Sequence, residues 1–318
     1  MQHMKENILH WQNSIKIKKA AEIIKNGGLV SFPTETVYGL GANGLDIESF
    51  NKIYQAKQRP SDNPLIFHIS DKKQLANLIN NTNEKAEKLM EKFWPGPLTI
   101  VFQKNKKISK QLTSGLDTIA IRMPSNKIAL ELIKQSNLPI VAPSANLSGK
   151  PSPTKAEHVF EDLNGKIDMI LDGGEVNIGL ESTVVDLSKE SEAYILRPGK
   201  ISKKEIEEVI GKISSNKSDN TKKKEQPKAP GMKYKHYSPT AKVLIYNSQE
   251  QYDKLIEENK KKKIITLKYS SLKDMGKYLF RDFRKADNDG FEIILVKSVE
   301  NEDFGEAIMN RLLKAASN

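Results

Sequence analysis

The chain has 318 residues, which is enough for about two domains with a buried core, and it contains no cysteine. The lack of cysteine excludes disulfides, thiol nucleophiles and cysteine-based metal centres. No apolar run approaches the roughly 20 residues that span a bilayer, and the first residues lack the apolar stretch of a secretory signal. We therefore expect a soluble, cytoplasmic protein.

The net charge of +11 raises the question of nucleic-acid binding, but its distribution weakens that hypothesis. Eight lysines and two acidic residues lie between Lys212 and Thr240, so more than half of the excess falls in one segment. The first half of this segment has the composition of a disordered linker. Its second half contains Tyr234, His236 and Tyr237, and we expect these aromatic rings to dock against another part of the protein.

The chain alternates predicted helices and strands along most of its length. Apolar spacing and capping residues predict helices over 14–26, 47–55, 72–79, 84–93, 127–135, 155–163 and 202–211. Short β-rich runs predict strands within the stretches 29–32, 65–67, 94–102, 116–124, 139–141, 168–174, 178–187 and 193–199, some of which also contain a turn. From residue 242 onward, strands at 243–246, 264–267 and 291–296 alternate with helices at 249–258, 275–285 and 304–316. This alternation predicts a small parallel α/β unit.

We expect three parts in this chain: a catalytic domain over 1–212, a linker or lid over 213–240, and a small C-terminal α/β domain over 241–318. In the first part, the segment Pro33–Asp46 has Gly39, Gly41 and Gly44, which permit positive φ and close approach of the backbone to a ligand. No P-loop (GxxxxGK[ST]) is present. Gly39, Gly41 and Gly44 have the spacing GxGxxG, but this short motif is a weak signal by itself and does not establish how any nucleotide is held.

The segment Lys57–His68, KQRPSDNPLIFH, carries two cations and two prolines. The prolines disfavour helix just before them, which predicts a stiff extended loop. A rigid loop that presents Lys57 and Arg59 together suits a polyanion such as a triphosphate. The alternative is a solvated surface loop with two ordinary cations.

Two further segments carry candidate ligand-binding groups. Arg122 lies among apolar neighbours in the predicted strand 116–124, where a buried cation requires an anionic partner. That partner is either a ligand or a structural ion pair, unless the strand lies at an edge. The Ser/Asn/Pro/Gly-rich loop 142–154 follows a strand, where it can contact phosphate or ribose or simply cap the next helix.

Five stretches, SFPTETVYGLGAN, AKQRPSDNPLIFHI, FWPGPLTIVF, APSANLSGKPSPT and ESTVVDL, together resemble the YrdC-like family of threonylcarbamoyl-AMP synthases. The tail is similar to the two-domain form of that family, in the linker stretch APGMKYKHYSP and in the run Met309-Asn310-Arg311. The resemblance implies a twisted, open mixed α/β sheet with a basic cavity, joined to a small C-terminal Rossmann-like parallel α/β domain.

The resemblance also implies an activity. Family members condense L-threonine, bicarbonate or CO2 and ATP into L-threonylcarbamoyl-adenylate, with release of pyrophosphate, and the product serves tRNA modification. ATP, assisted by Mg2+, would be a substrate rather than a tightly bound cofactor, and the resemblance implies no protein metal site. The resemblance suggests tRNA or the downstream threonylcarbamoyl-transferase proteins as macromolecular partners. It does not suggest binding to a membrane.

Site residues follow from the resemblance. The nucleotide side would comprise Lys57, Arg59, Asn63, Thr118, Ser144, Ser152, Arg197 and Tyr234, of which Lys57 and Arg59 would also be catalytic. The threonine side would comprise Thr34, His68, Arg122, Ala142 and Ser182.

The residues suggest how these groups could act. Lys57 and Arg59 would neutralise the phosphates, and Arg122 would bind the threonine carboxylate bidentately. His68 could hydrogen-bond the substrate, act as a base, or be a structural histidine. Because carbamates and adenylates decompose in water, we expect Ala229–Pro239 to close over the cavity as a lid, with Tyr234 on the nucleotide.

Two rival functions remain open from the sequence. One is a non-catalytic module of the same fold that binds double-stranded RNA or tRNA through the basic cavity. The other is a carbamoyl-transfer relative, but such proteins carry additional zinc-ligand and transferase domains. The chain has no cysteine and only five histidines, which disfavours this second rival.

Overall fold

The structure is a computed structural model that describes residues 8–10, 14–189, 192–215 and 236–317. Two separate sheets lie within these ranges, one of eleven strands and one of three. No helix in these ranges combines the length and the apolar character that crossing a membrane requires.

The large sheet occupies the first two thirds of the chain. Its strands are β1 (Ile8–His10), β2 (Val30–Pro33), β3 (Tyr38–Asn43), β4 (Ile66–His68), β5 (Leu98–Gln103), β6 (Thr118–Arg122), β7 (Ile140–Val141), β8 (Met169–Asp172), β9 (Thr183–Asp186), β10 (Tyr194–Arg197) and β11 (Ser214–Ser215). They follow the order β1-β8-β2-β3-β7-β4-β6-β5-β9-β10-β11 and mix parallel with antiparallel pairs. The predicted open mixed sheet is therefore confirmed.

Helices cover this sheet. They are α1 (Ser14–Lys25), α2 (Ile47–Lys57), α3 (Leu75–Leu78), α4 (Glu84–Phe93), α5 (Lys127–Ser136), α6 (Ala156–Leu163) and α7 (Lys203–Ile210), with 3-10 turns at Lys72–Gln74 and Lys110–Thr113. Capping residues set their limits. The side chain of Asp46 accepts from the backbone of Glu48 and Ser49 to start α2, and Gln58 ends that helix in the left-handed conformation. The predicted helix over 72–79 divides into a 3-10 turn and α3.

Two expectations about the loops need correction. Lys57 is the last residue of α2 and His68 is the last residue of β4, so the loop between them is shorter than predicted. The glycines after Pro33 lie in or beside β3, which the sequence reasoning did not identify as a strand, and positive φ is not found at Gly39, Gly41 or Gly44.

Packing inside the protein explains the glycine at position 41. A Cβ atom there would lie 2.7 Å from the ring of Phe32 and 2.9 Å from the side chain of Ile140. Such distances are too short for a carbon–carbon contact, so Gly41 lets neighbouring side chains pack over β3. A close approach of this backbone to a ligand is not needed to explain it.

The C-terminal domain is built on the second sheet. Its strands are β12 (Lys242–Tyr246), β13 (Ile264–Leu267) and β14 (Ile293–Lys297), all parallel, in the order β12-β14-β13. Its helices are α8 (Gln249–Glu258), α9 (Leu272–Asn288) and α10 (Asp303–Ala316). The predicted parallel α/β arrangement is confirmed.

The two domains make close contact. Leu180, from the segment before β9, is buried in the hydrophobic cluster that contains Tyr237 and Phe280. Gly179 adopts a φ of +84°, and a Cβ atom there would lie 2.4 Å from the backbone oxygens of Gly276 and Lys277 in α9. Glycine is therefore the residue that this approach between the domains allows.

Candidate functional site

One cavity in the first domain, which we call the site cavity, brings together most of the predicted site residues. Nine of the thirteen line it: Thr34, Arg59, His68, Arg122, Ala142, Ser144, Ser152, Ser182 and Arg197. The sheet accounts for several of these positions. His68 and Arg122 end the parallel strands β4 and β6 and are register partners, while Ala142 directly follows β7.

The other four predicted residues do not line the cavity within the described structure. Tyr234 lies outside the described residues. Lys57, Asn63 and Thr118 are buried and are not among the residues that line the cavity. Thr118 starts β6 while Arg122 ends it, which separates the two by about 13 Å along the strand.

The Lys57 ammonium group lies against backbone oxygens rather than in the open cavity. Its Nζ donates hydrogen bonds of 2.5 Å to the carbonyl oxygens of both Ser144 and Asn146. Burial, together with the nearby charge of Arg59, lowers the pKa of Lys57 well below its usual value. In this geometry Lys57 holds the 144–147 loop that forms one wall of the cavity.

Arg59 presents its guanidinium to the site. Its Nη2 atom donates to the backbone oxygens of Asn63 and Pro64 at 3.4 and 3.3 Å. Burial lowers the pKa of Arg59 to about 10, so the group stays charged at neutral pH. Asn63 thus contributes its main-chain carbonyl to the orientation of Arg59.

Arg122 has a buried partner that the sequence reasoning missed. Its Nη2 atom forms an ion pair of 2.7 Å with Glu35, and the two side chains are 4% and 8% exposed. Its Nη1 atom donates to Thr36 Oγ1 at 2.9 Å, and its Nε atom donates to the carbonyl oxygen of Gly96 at 3.1 Å. Strand β6 lies between β4 and β5, so the edge-strand alternative is wrong.

His68 is buried and uncharged at neutral pH. Burial and the neighbouring Arg122 lower the pKa of His68 to about 3. Its Nδ1 atom lies 3.2 Å from the carbonyl oxygen of Ile66. A histidine with such a low pKa is a weak base, so the geometry favours hydrogen bonding over proton transfer.

The predicted nucleotide and threonine groups meet at Ser182. Arg197 donates from Nε to the backbone oxygen of Ser182 and from Nη2 to its Oγ atom, both at 3.0 Å. The hydroxyls of Ser182 and Thr99 lie 2.7 Å apart. The two predicted subsites are therefore adjacent, as transfer between two bound substrates requires.

One acidic residue, Glu181, is among the residues that line the cavity. The Ser152 hydroxyl donates to Glu181 Oε1 at 2.5 Å. Sequence reasoning missed Glu181, although its position beside Ser182 in the stretch ESTVVDL was a signal that could have been followed. His236 and Tyr237 also line the cavity, and the Tyr237 ring stacks on Phe280 with centroids 5.2 Å apart.

The site is rich in cations and hydroxyl groups. Among the described residues, no group of three or more His, Asp or Glu side chains could hold a metal ion. The guanidinium groups of Arg59, Arg122 and Arg197 converge on one cavity, an arrangement that suits a polyanion together with a carboxylate.

Comparisons with known proteins agree with this geometry. A family model described as telomere recombination matches residues 22–199, and a second, described as threonylcarbamoyl-AMP synthase, C-terminal domain, matches residues 201–317. A threonylcarbamoyl-AMP synthase of Pyrococcus abyssi is 46% identical, over 99% of this chain and 96% of the relative. One of Bacillus subtilis is 45% identical, over 96% and 94%.

A solved structure extends the likeness to three dimensions. The crystal structure of Pyrococcus abyssi Sua5 complexed with L-threonine has a TM-score of 0.91 and 44% identity, covering 98% of this chain and 97% of that one. The chain belongs to the threonylcarbamoyl-AMP synthase family, in its two-domain Sua5 form. The resemblance seen in the sequence is confirmed.

Proposed function

We propose that this chain condenses L-threonine, bicarbonate or CO2 and ATP into threonylcarbamoyl-AMP and pyrophosphate. The observation that carries the proposal is the convergence of Arg59, Arg197 and Arg122 on one cavity in a chain of this family. The threonine-bound Pyrococcus relative supports threonine as the amino acid.

The reaction needs no protein nucleophile. The threonine amine adds to CO2, loses a proton and becomes a carbamate; if bicarbonate is the source, water is also lost. A carbamate oxygen then attacks the α-phosphorus of ATP, the bond to the β-phosphate oxygen breaks, and pyrophosphate leaves. Catalysis of such a step depends on positioning and on stabilisation of the developing charge.

The phosphates would lie against Arg59, which faces the cavity and stays charged. Lys57 would act behind the cavity wall, because its ammonium group holds the carbonyl oxygens of Ser144 and Asn146. Ser144, Ser152 and Arg197 line the cavity and are proposed as further nucleotide contacts. Asn63, Thr118 and Tyr234 are proposed from the resemblance alone, because Asn63 and Thr118 do not line the cavity and Tyr234 lies outside the described residues. Mg2+ would enter with the triphosphate as part of the substrate.

The threonine carboxylate would bind Arg122. The guanidinium already contacts Glu35, Thr36 and Gly96, and we propose that the threonine carboxylate displaces the Glu35 carboxylate from Nη2. Thr34 and Ser182 would contact the other polar atoms of threonine, and Ala142 would pack beside it. We propose that His68, being neutral, positions the substrate.

The linker would exclude water from the reaction. His236 and Tyr237 line the cavity, which supports a lid formed by Ala229–Pro239. Limited proteolysis tests this lid: ATP together with threonine should slow cleavage in that segment. Equal rates of cleavage with and without the two substrates would refute it.

The function is tested by incubating the protein with ATP, bicarbonate and each amino acid in turn while pyrophosphate is measured. Release that depends specifically on threonine supports the synthase. No release, combined with RNA binding that weakens steeply with salt, would instead support the RNA-binding module. We propose that the product passes to tRNA through the downstream transferase proteins.

A further inference from the structure

Two buried arginines connect the C-terminal domain to the first domain. Arg284 of α9 is 5% exposed, and its Nη2 atom donates to Asp162 at 2.7 Å and to the carbonyl oxygen of Pro151 at 2.5 Å. Arg311 of α10 is fully buried. Because Arg284 anchors the domain independently, loss of Arg311 leaves one buried ion pair between the domains.

Arg311 reaches the wall of the site cavity. Its Nε atom donates to Glu181 Oε2 at 3.0 Å, and its Nη1 atom donates to the carbonyl oxygen of Pro198 at 2.8 Å. Its guanidinium carbon lies 5.4 Å from the centroid of the Tyr237 ring. The residue therefore touches three segments around the cavity and is not itself one of the lining residues.

The Glu181 carboxylate connects Arg311 to Ser152. One carboxylate oxygen of Glu181 accepts from Arg311, and the other accepts from the Ser152 hydroxyl at 2.5 Å. The hydroxyl proton is thereby committed to Glu181, and the lone pairs of Ser152 Oγ remain available on its other side. An ionised Glu181 thus fixes the orientation of a hydroxyl that lines the cavity.

The charge on Glu181 depends on its cationic neighbours. Burial alone would raise the pKa of Glu181, but Arg311 and Arg197 hold it below its usual value. Among the described residues, the charged or titratable groups that face Glu181 are Arg311, Arg197, Lys314, His236 and Tyr237. His236 is neutral at pH 7, because burial lowers its pKa to about 3.

We propose that Arg311 is a positioning residue for the nucleotide side of the site: it holds the Glu181 carboxylate that orients the Ser152 hydroxyl. The C-terminal domain thus completes an active site whose lining comes from the first domain and the linker. This inference rests on the proposed function, which assigns Ser152 to the nucleotide.

The test compares Arg311→Met, Arg311→Lys, Glu181→Gln and the double variant Arg311→Met/Glu181→Gln. Arg311→Met should raise the KM for ATP about tenfold, which corresponds to about 1.4 kcal/mol, and raise the KM for threonine less. Its kcat/KM for ATP should also fall more steeply towards acid pH than that of the unaltered protein, because loss of Arg311 removes one of the charges that lower the pKa of Glu181. Arg311→Lys should restore part of both properties.

Glu181→Gln distinguishes the effect of Arg311 on Ser152 through Glu181 from its effect on the docking of the C-terminal domain. It should raise the KM for ATP at all pH values without the new acid dependence, and the double variant should lose the acid dependence of Arg311→Met. Lys285→Met is the matched control, because it removes an exposed cation from the same domain. That variant should behave like the unaltered protein.

Two results would overturn the proposal: an acid dependence that persists in the double variant, or equal increases in the KM for ATP and for threonine in Arg311→Met. If Arg311→Met does not fold, an unchanged KM for ATP in Glu181→Gln overturns the proposal by itself. Calorimetric titration of ATP without threonine follows nucleotide binding directly. If the unaltered protein binds ATP but releases no pyrophosphate with threonine, the proposed function fails, and the titration still tests Arg311.

Discussion

Removal of Arg122 should destabilise the protein mainly because the buried charge of Glu35 would lose its partner. The pair is 2.7 Å apart with side chains 4% and 8% exposed, so both charges are largely removed from water. Loss of one partner of such a pair typically costs about 3–5 kcal/mol, a large share of the roughly 5–15 kcal/mol that stabilise a whole domain. We expect Arg122→Met to lower the free energy of unfolding by that amount.

Neutralising the stranded carboxylate should recover much of this loss. The double variant Arg122→Met/Glu35→Gln should therefore be more stable than Arg122→Met, although it contains one more substitution. Glu35→Gln alone also leaves a buried charge without its partner, but Arg122 keeps its contacts with Thr36 and Gly96, so this variant should lose less stability than Arg122→Met. Urea unfolding at pH 7 measures all three. If the double variant is no more stable than Arg122→Met, the argument that Arg122→Met leaves a buried, uncompensated charge on Glu35 is wrong.

The same variants test the threonine site. Arg122→Met should raise the KM for threonine more than the KM for ATP, measured by pyrophosphate release. Glu35→Gln should lower the KM for threonine, because the substrate carboxylate no longer competes with a charged group for Arg122. If Glu35→Gln raises the KM for threonine as much as Arg122→Met does, Glu35 assists binding and the competition argument is wrong.

Three further predictions concern neighbouring groups. Arg59→Ala should abolish threonine-dependent pyrophosphate release while the circular dichroism spectrum of the folded protein is retained; retained release would exclude Arg59 as the phosphate-binding group. Lys57→Met should destabilise the protein by about 1–3 kcal/mol, because two buried carbonyls lose their donor, and unchanged urea unfolding would contradict this. Because burial lowers the pKa of His68 to about 3, its contribution to the free energy of unfolding should fall as the pH decreases from about 6.5 towards 3. The expected slope of the free energy of unfolding is about 1.4 kcal/mol per pH unit, and it should be smaller in His68→Asn.

Local sequence signals predicted most of the secondary structure. Asn83 caps α4, which spans the predicted residues Glu84–Phe93, and Ser202 with Glu205 forms a capping box at the start of α7. These signals act between residues that are close along the chain. Strand β3 was missed because glycine is a poor strand former, and only its packed neighbours explain glycine there.

The site was predictable as a set of residues but not as a network. Motif order identified nine residues that line one cavity. It did not identify the partners of Arg122 and Arg311, because Glu35 and Glu181 lie 87 and 130 positions away from them along the chain. A sequence shows that a buried arginine needs an anion, but only the folded chain shows which one.

The docking of the C-terminal domain also bears on how the length of the connecting chain can vary. Gly179, Arg284 and Arg311 fix that domain against the first one through direct contacts. The segment between Ser215 and Ala229, which precedes the proposed lid, therefore does not have to set the separation of the two domains by its length. Insertions or deletions there should be tolerated in evolution far more readily than a single added methyl group at position 179.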